Sequence, residues 1–222
     1  MLRGLYRKEK KGGVDQFPQQ INDLIHYLYE TNDPSFRFGD LKAYPDIQTT
    51  PNLWVLGSSP SSAHLAAQIG TPYTFAHFIN GNGGDEAVKR YIETFSPSVI
   101  SKRPKPMVAV FVIAGETEKE AHDLASSLNL TFVLLERGKR NLFNGVPSVE
   151  DAKNYPYDRM DKEIVKRNQS RLIVGDPISV RQQLQDLADR YKANEVMVVS
   201  ITHSYEAKQR SYQLIADQFN LR

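Results

Sequence analysis

Four short apolar runs, separated by residues at helical spacing, constrain this sequence more than any other feature. Leu53-Trp54-Val55-Leu56, Pro72 to Phe78, Met107 to Ile113 and Glu195 to Ile201 are mainly apolar, as strands buried on both faces must be. Between them the period changes. Ala63, Leu65, Ala66, Ala67 and Ile69 follow the first run, and Ala87, Val88, Tyr91, Ile92 and Phe95 the second. Val180, Leu184, Leu187, Ala188 and Tyr191 precede the fourth, and Tyr212, Ile215 and Phe219 follow it. Such alternation predicts a parallel sheet covered by helices, an α/β fold. A closed (β/α)8 barrel needs eight strands and about 250 residues. Four strands in 222 residues correspond to half a barrel or to a small open sheet, and periodicity alone leaves both open.

Local signals set the expected boundaries. Phe17, Ile21, Leu24, Ile25 and Leu28 form a helical stripe, so a helix is expected over 17–30 and a polar loop over 31–51. Ser59 before Pro60 is a matched N-cap and N1 pair, and Gly70 ends the helix they open. A further helix is expected over 85–95. Thr117 and Glu120 suit a capping box for a helix reaching about Leu128. Residues 136–157, rich in Gly, Pro and Asn, read as a long irregular loop. Asp176-Pro177 caps the helix before the fourth strand, and the last helix runs over 205–219.

Composition removes several classes of function. With no cysteine, disulfides, zinc thiolate sites and Cys nucleophiles are excluded. No histidine pair has metal-site spacing, so no metal is expected. A net charge of +2 demands neither nucleic acid nor an anionic membrane, and the basic run Arg3, Arg7, Lys8, Lys10 and Lys11 reads as a solvated terminus. No apolar run approaches the ~20 residues of a membrane span, so a cytoplasmic location is expected. The Gly81-Asn82-Gly83-Gly84 turn lacks the Lys and Ser/Thr of a P-loop and reads as a flexible loop.

The run LWVLGSSPSSAHLAAQIGTPYTFAHF, residues 53–78, resembles the luciferase-like flavin-dependent monooxygenases. Two further pieces resemble the family in the same order. MVAVFVIAGETEKEAHDLASS matches its strand and "A-x-T-x-x-E-A" helix, and IVGDPISVRQQLQDLADRYKANEVMVVSITHS its "G-x-P-x-x-V" helix and last barrel strand. The resemblance implies a TIM-barrel (β/α)8 fold, of which this sequence supplies strands five to eight within one luciferase-like domain, 1–222. It implies too that strands one to four, with the family's catalytic histidine and an arginine near the phosphate, lie outside the sequence. No catalytic residue is therefore assigned.

A Ser-rich turn between a buried strand and a helix N-terminus suits an anion, because unpaired N–H groups and the positive helix end both point at it. A plain helix cap is the simpler account of the same turn. The resemblance implies that Ser59 and Ser62 contact a flavin phosphate, with Ser58 where bacterial luciferases carry an acidic residue. Gly57 lets the turn approach a ligand or pack tightly. His77 falls where family members place an aromatic residue beside the flavin ring, and His203 closes the last strand at the same mouth. His26, His64 and His122 read as helix-surface or packing residues, Trp54 as core and Arg210 as a solvated side chain.

The function implied is FMN-dependent monooxygenation of a small organic substrate, with a flavin reductase as the possible source of reduced flavin. A non-catalytic flavin-binding half barrel is the alternative, and an unrelated open-sheet protein binding another phosphate ligand is a third reading. Half a barrel leaves two open sheet edges, so self-association or a complementing N-terminal half is expected.

Overall fold

The computed structural model describes residues 16–29, 34, 36–39, 41, 44 and 49–221. The basic N-terminal run and most of the 31–51 loop lie outside them. The elements, in chain order, are α1 (Phe17–Tyr29), β1 (Val55–Gly57), α2 (Pro60–Ile69), β2 (Tyr73–Ala76), α3 (Gly84–Glu93), β3 (Pro106–Ala114), α4 (Glu118–Glu136), α5 (Val149–Asn154), α6 (Arg159–Asn168), β4 (Leu172–Gly175), α7 (Pro177–Arg190), β5 (Glu195–Val199) and α8 (Tyr205–Gln218). Every strand pair is parallel, as the strand–helix alternation suggests, although β5, expected to be buried on both faces, has no fully buried residue.

β3 organises the sheet. Its first residues pair with β2 (Tyr73↔Pro106 to Ala76↔Ala109), and β2 pairs in turn with β1 (Val55↔Tyr73 to Gly57↔Phe75). β5 pairs along Met107↔Glu195 to Phe111↔Val199, overlapping β2 in register, so the two flank β3 on opposite sides. The backbone groups of odd-numbered residues point to the β2 side: Ala109 O accepts from Phe78 N at 3.1 Å. Those of even-numbered residues point to the β5 side, where Val112 O accepts from Ser200 Oγ at 2.7 Å and Ala114 N donates to Ser211 Oγ at 2.9 Å. Gly115 N donates to Gly175 O, which puts β4 on the β2 side, beyond the end of β2.

The side chains of β3 likewise alternate between two cores. Val108, Val110, Val112 and Ala114 join Val55, Tyr73 and Phe75 under α1, α2, α3, α7 and α8. Phe111 and Ile113 face the other way, into a cluster with Leu128, Phe132 and Val133 of α4, Ala152 of α5 and Ile164 of α6. The α4–α6 group therefore covers the far end of the opposite sheet face. Nearer the strand starts that face is open, with Leu56 48% and Met197 45% exposed.

β4 is a fifth strand where the sequence suggests four. Residues 136–157 are not one long loop, because α4 continues to Glu136 and α5 intervenes. Arg137 at the end of α4 explains the extension: it binds Asp161, which is buried, and Asp158, so α4 runs on to meet the N-terminus of α6. Thr117 caps α4 by accepting from Glu120 N at 3.2 Å, but the Glu120 carboxylate accepts from Glu116 N at 2.8 Å, so half of the expected box forms. The glycine turn is packed at its two ends, while Asn82 and Gly83 between them are exposed. A Cβ on Gly81 would collide with Ser170, and one on Gly84 with the Phe75 ring and the Tyr191 hydroxyl. No helix among the described residues is long and apolar enough to cross a membrane.

Candidate functional site

The parallel strands place all their following loops at one end of the sheet. β1 ends at Gly57, and Ser59 caps α2 with an extended backbone (φ −136°, ψ 156°) that turns the chain into the helix. Ser59 Oγ accepts from Ser62 N at 3.3 Å, while Ser62 Oγ lies 3.4 Å from Ser59 N and donates to Ser59 O at 2.8 Å. Pro60 has no N–H to orphan at N1. The N–H of Ser61 at N2 has no hydrogen-bond partner among the described residues. Ser59 Oγ and Ser61 Oγ are 2.9 Å apart, and Ser61 is exposed.

The serines of this turn thus do different work. Ser62 points inward and meets the hydroxyl of Tyr73, 3.0 Å away. Its side chain also fills the space that a Cβ on Gly57 would need, so Gly57 makes room for Ser62. Ser58 contributes its carbonyl, which accepts from Asn80 Nδ2 at 3.4 Å and ties the turn to the loop after β2. What remains outward is the Ser61 N–H and the paired hydroxyls of Ser59 and Ser61. One proton fills the bond between these hydroxyls; the second is free when it belongs to Ser61, and when it belongs to Ser59 it has Ser62 Oγ, 3.4 Å away, as an internal acceptor. Two donors at the positive end of a ten-residue helix fit a phosphate group.

His77 follows β2 at the same end of the sheet and is buried. Its Nδ1 lies 2.9 Å from Tyr191 Oη, and the two rings meet edge to face at 5.7 Å. Burial first, and the Arg190 guanidinium second, push the imidazole below its ordinary value of 6.5; a bond to the Ser170 backbone partly offsets them. Lowered in this way, the ring is neutral at ordinary pH, with the Tyr191 hydroxyl on its Nδ1. Arg171 braces the same loop through Phe78 O at 2.7 Å and also binds Asn168.

His203 is exposed beyond β5. Its Nδ1 is 2.7 Å from Val146 O, and since a carbonyl only accepts, that nitrogen carries the proton. His122 bonds Glu118 and His64 is exposed, while His26 stacks on Phe36 at 3.5 Å. Arg210 is ion-paired to Glu116. Among the described residues no group of three or more His, Asp or Glu is placed to hold a metal. Sequence reasoning passed over Tyr73, Asn80 and Tyr191. Tyr73 did leave a signal: a tyrosine inside an apolar strand needs a partner for its hydroxyl, and the neighbouring strand ends in serines.

Residues 21–192 match the family described as luciferase-like monooxygenase. Among relatives, the uncharacterized protein YwcH of Bacillus subtilis (strain 168) is 43% identical over 209 residues, covering 94% of this chain and 62% of YwcH. The crystal structure of apo-MsnO8 superposes with a TM-score of 0.80 at 32% identity, over 94% of this chain and 61% of that one. Two more distant structures share the fold alone. One is the oxygenating constituent of 3,6-diketocamphane monooxygenase from Pseudomonas putida in complex with FMN (20% identity, TM-score 0.50, 76% and 48% covered). The other is an F420-dependent secondary alcohol dehydrogenase (11% identity, TM-score 0.57, 92% and 61% covered). The chain spans about three fifths of the length of YwcH and of MsnO8.

Proposed function

Because the chain belongs to the luciferase-like monooxygenase family, we propose that it binds FMN with the flavin phosphate on the first turn of α2, in the service of oxygenating a small organic substrate. The observation that carries this reading is the outward donor set at Ser59 and Ser61, at the loop end of a parallel sheet, with an N–H that nothing in the described structure satisfies. The relatives' flavin-type cofactors support it, FMN in one case and F420 in another.

When bound, reduced FMN with dioxygen supplies the oxidising chemistry, and a separate reductase would supply the reduced flavin. Ser59 and Ser61 hold the phosphate and so fix where the rest of the cofactor lies. Ser62 and Gly57 shape the turn, and Ser58 ties it to the next loop through Asn80. His77 stands in this reading at the border of the flavin ring. Buried, neutral and bonded to Tyr191, it offers a wall rather than a mobile proton.

The test is a fluorescence-quench titration of FMN and riboflavin. The parent should bind FMN the more tightly. Ser59→Ala removes a hydrogen bond to a charged acceptor, about 1.5–3 kcal/mol, and should weaken FMN binding roughly 10- to 100-fold while riboflavin changes little. Equal affinity of the parent for the two flavins, or none for either, would refute the phosphate assignment.

A further inference from the structure

We infer that Tyr73 is the positioning residue of the α2 turn: its hydroxyl sets the geometry that Ser59 and Ser61 present, without itself touching the ligand. The inference rests on the phosphate reading above.

Tyr73 opens β2 and is fully buried, so its phenol reaches the turn from beneath the sheet end. Its hydroxyl donates to Gly57 O at 3.1 Å and lies 3.0 Å from Ser62 Oγ. One hydroxyl therefore joins the last residue of β1 to the first turn of α2. The proton count shows why it serves as a brace and not as a ligand. Tyr73 has one proton, which Gly57 O at 3.1 Å and Ser62 Oγ at 3.0 Å share; Ser62 has one, and Ser59 O accepts it. Neither is left to donate outward. Ser62 Oγ faces Ser59 N at 3.4 Å, so the position of Ser62 fixes the cap residue from both its N–H and its C=O.

The ring is itself immobilised. It packs at 5.4 Å against Tyr91, whose hydroxyl donates to Thr71 O at 2.8 Å and accepts from Lys105 N at 3.0 Å. Burial raises the Tyr73 phenol above its ordinary value of 10.0, with the Ser62 bond opposing, so it stays protonated at neutral pH and the donation to Gly57 O persists. Without the hydroxyl, Ser62 loses the partner that holds it under Gly57, and the cap follows Ser62.

The experiment measures FMN and riboflavin affinities for the parent, Tyr73→Phe, Ser62→Ala and the double variant. Tyr73→Phe should weaken FMN binding about 3- to 10-fold, the scale of one misplaced hydrogen bond, and leave riboflavin within about twofold. A merely structural loss would weaken both flavins alike and leave their ratio unchanged. Because Tyr73 acts through Ser62, the double variant should be no weaker than Ser62→Ala by more than about twofold. An unchanged FMN-to-riboflavin ratio in Tyr73→Phe, or effects that multiply in the double variant, would overturn the positioning role alone. A parent with no preference for FMN overturns the phosphate reading and this inference with it. Should Tyr73→Phe fail to fold, Ser62→Ala decides: an FMN-selective loss supports the brace, and an equal loss for both flavins removes it.

Discussion

At the scale of single residues, His77 shows how burial changes the chemistry open to a side chain. The unfolded chain exposes an ordinary imidazole, while in the folded protein burial and Arg190 hold the group below 6.5 against the opposing Ser170 contact. As pH falls through about 6.5 the unfolded state takes up a proton that the folded state refuses. Folding free energy is then lost, by up to about 1.4 kcal/mol per pH unit until the lowered folded value is reached. His77 thus contributes stability that is fully present above 6.5. Denaturant unfolding of the parent and of His77→Gln, compared from about pH 7.5 to about pH 5.5, should show the steeper decline in the parent. Parallel curves would mean that His77 titrates as freely folded as unfolded. The serine turn was legible in the sequence, since Ser59-Pro60 carries its own capping logic. The bond between His77 and Tyr191 was not, because 114 residues separate the partners and no local pattern links them. The inward turn of Ser62 was equally hidden, because it depends on a tyrosine in the next strand.

Strands were legible in proportion to the length of their apolar runs rather than to burial alone, since β5 was read although none of its residues is fully buried. β3 reads clearly because eight of its nine residues are buried, so both faces select apolar side chains. β4 escaped because its apolar run, Leu172-Ile173-Val174, is only three residues long, half-buried and buried in alternation. α6 escaped because its surface is charged and Ile164 alone among its apolar residues is fully buried. Edge strands carry a consequence of their own. Among the described residues β1 and β5 each pair on one side only, and each shows a large apolar side chain, Leu56 and Met197, on the same open sheet face. Unpaired N–H and C=O groups beside apolar surface favour pairing with another chain. Light scattering should therefore find the chain self-associating, and Met197→Lys should shift it toward monomer by placing a charge on that face. A parent monomeric across the accessible concentration range would show that the edges are otherwise protected.

On the scale of the whole molecule, β3 joins two packed bodies that meet at the loop end of the sheet. One is the α1–α2–α3–α7–α8 layer with the serine turn, and the other is the α4–α6 group on the opposite face. Asn80 and Arg171 link them, one reaching from the loop after β2 to Ser58, the other from the start of β4 to Phe78 O. The serine turn is thus tied to both neighbouring loops, and a ligand bound there should be felt locally. Hydrogen exchange is the most direct measurement of that claim, because the Ser61 amide lacks a partner and should exchange quickly in the free protein. With FMN added, exchange should slow across residues 58–63, at Ser61 most of all, and riboflavin should leave that segment unprotected. Protection by FMN that falls elsewhere, or the same protection from riboflavin, would contradict the account.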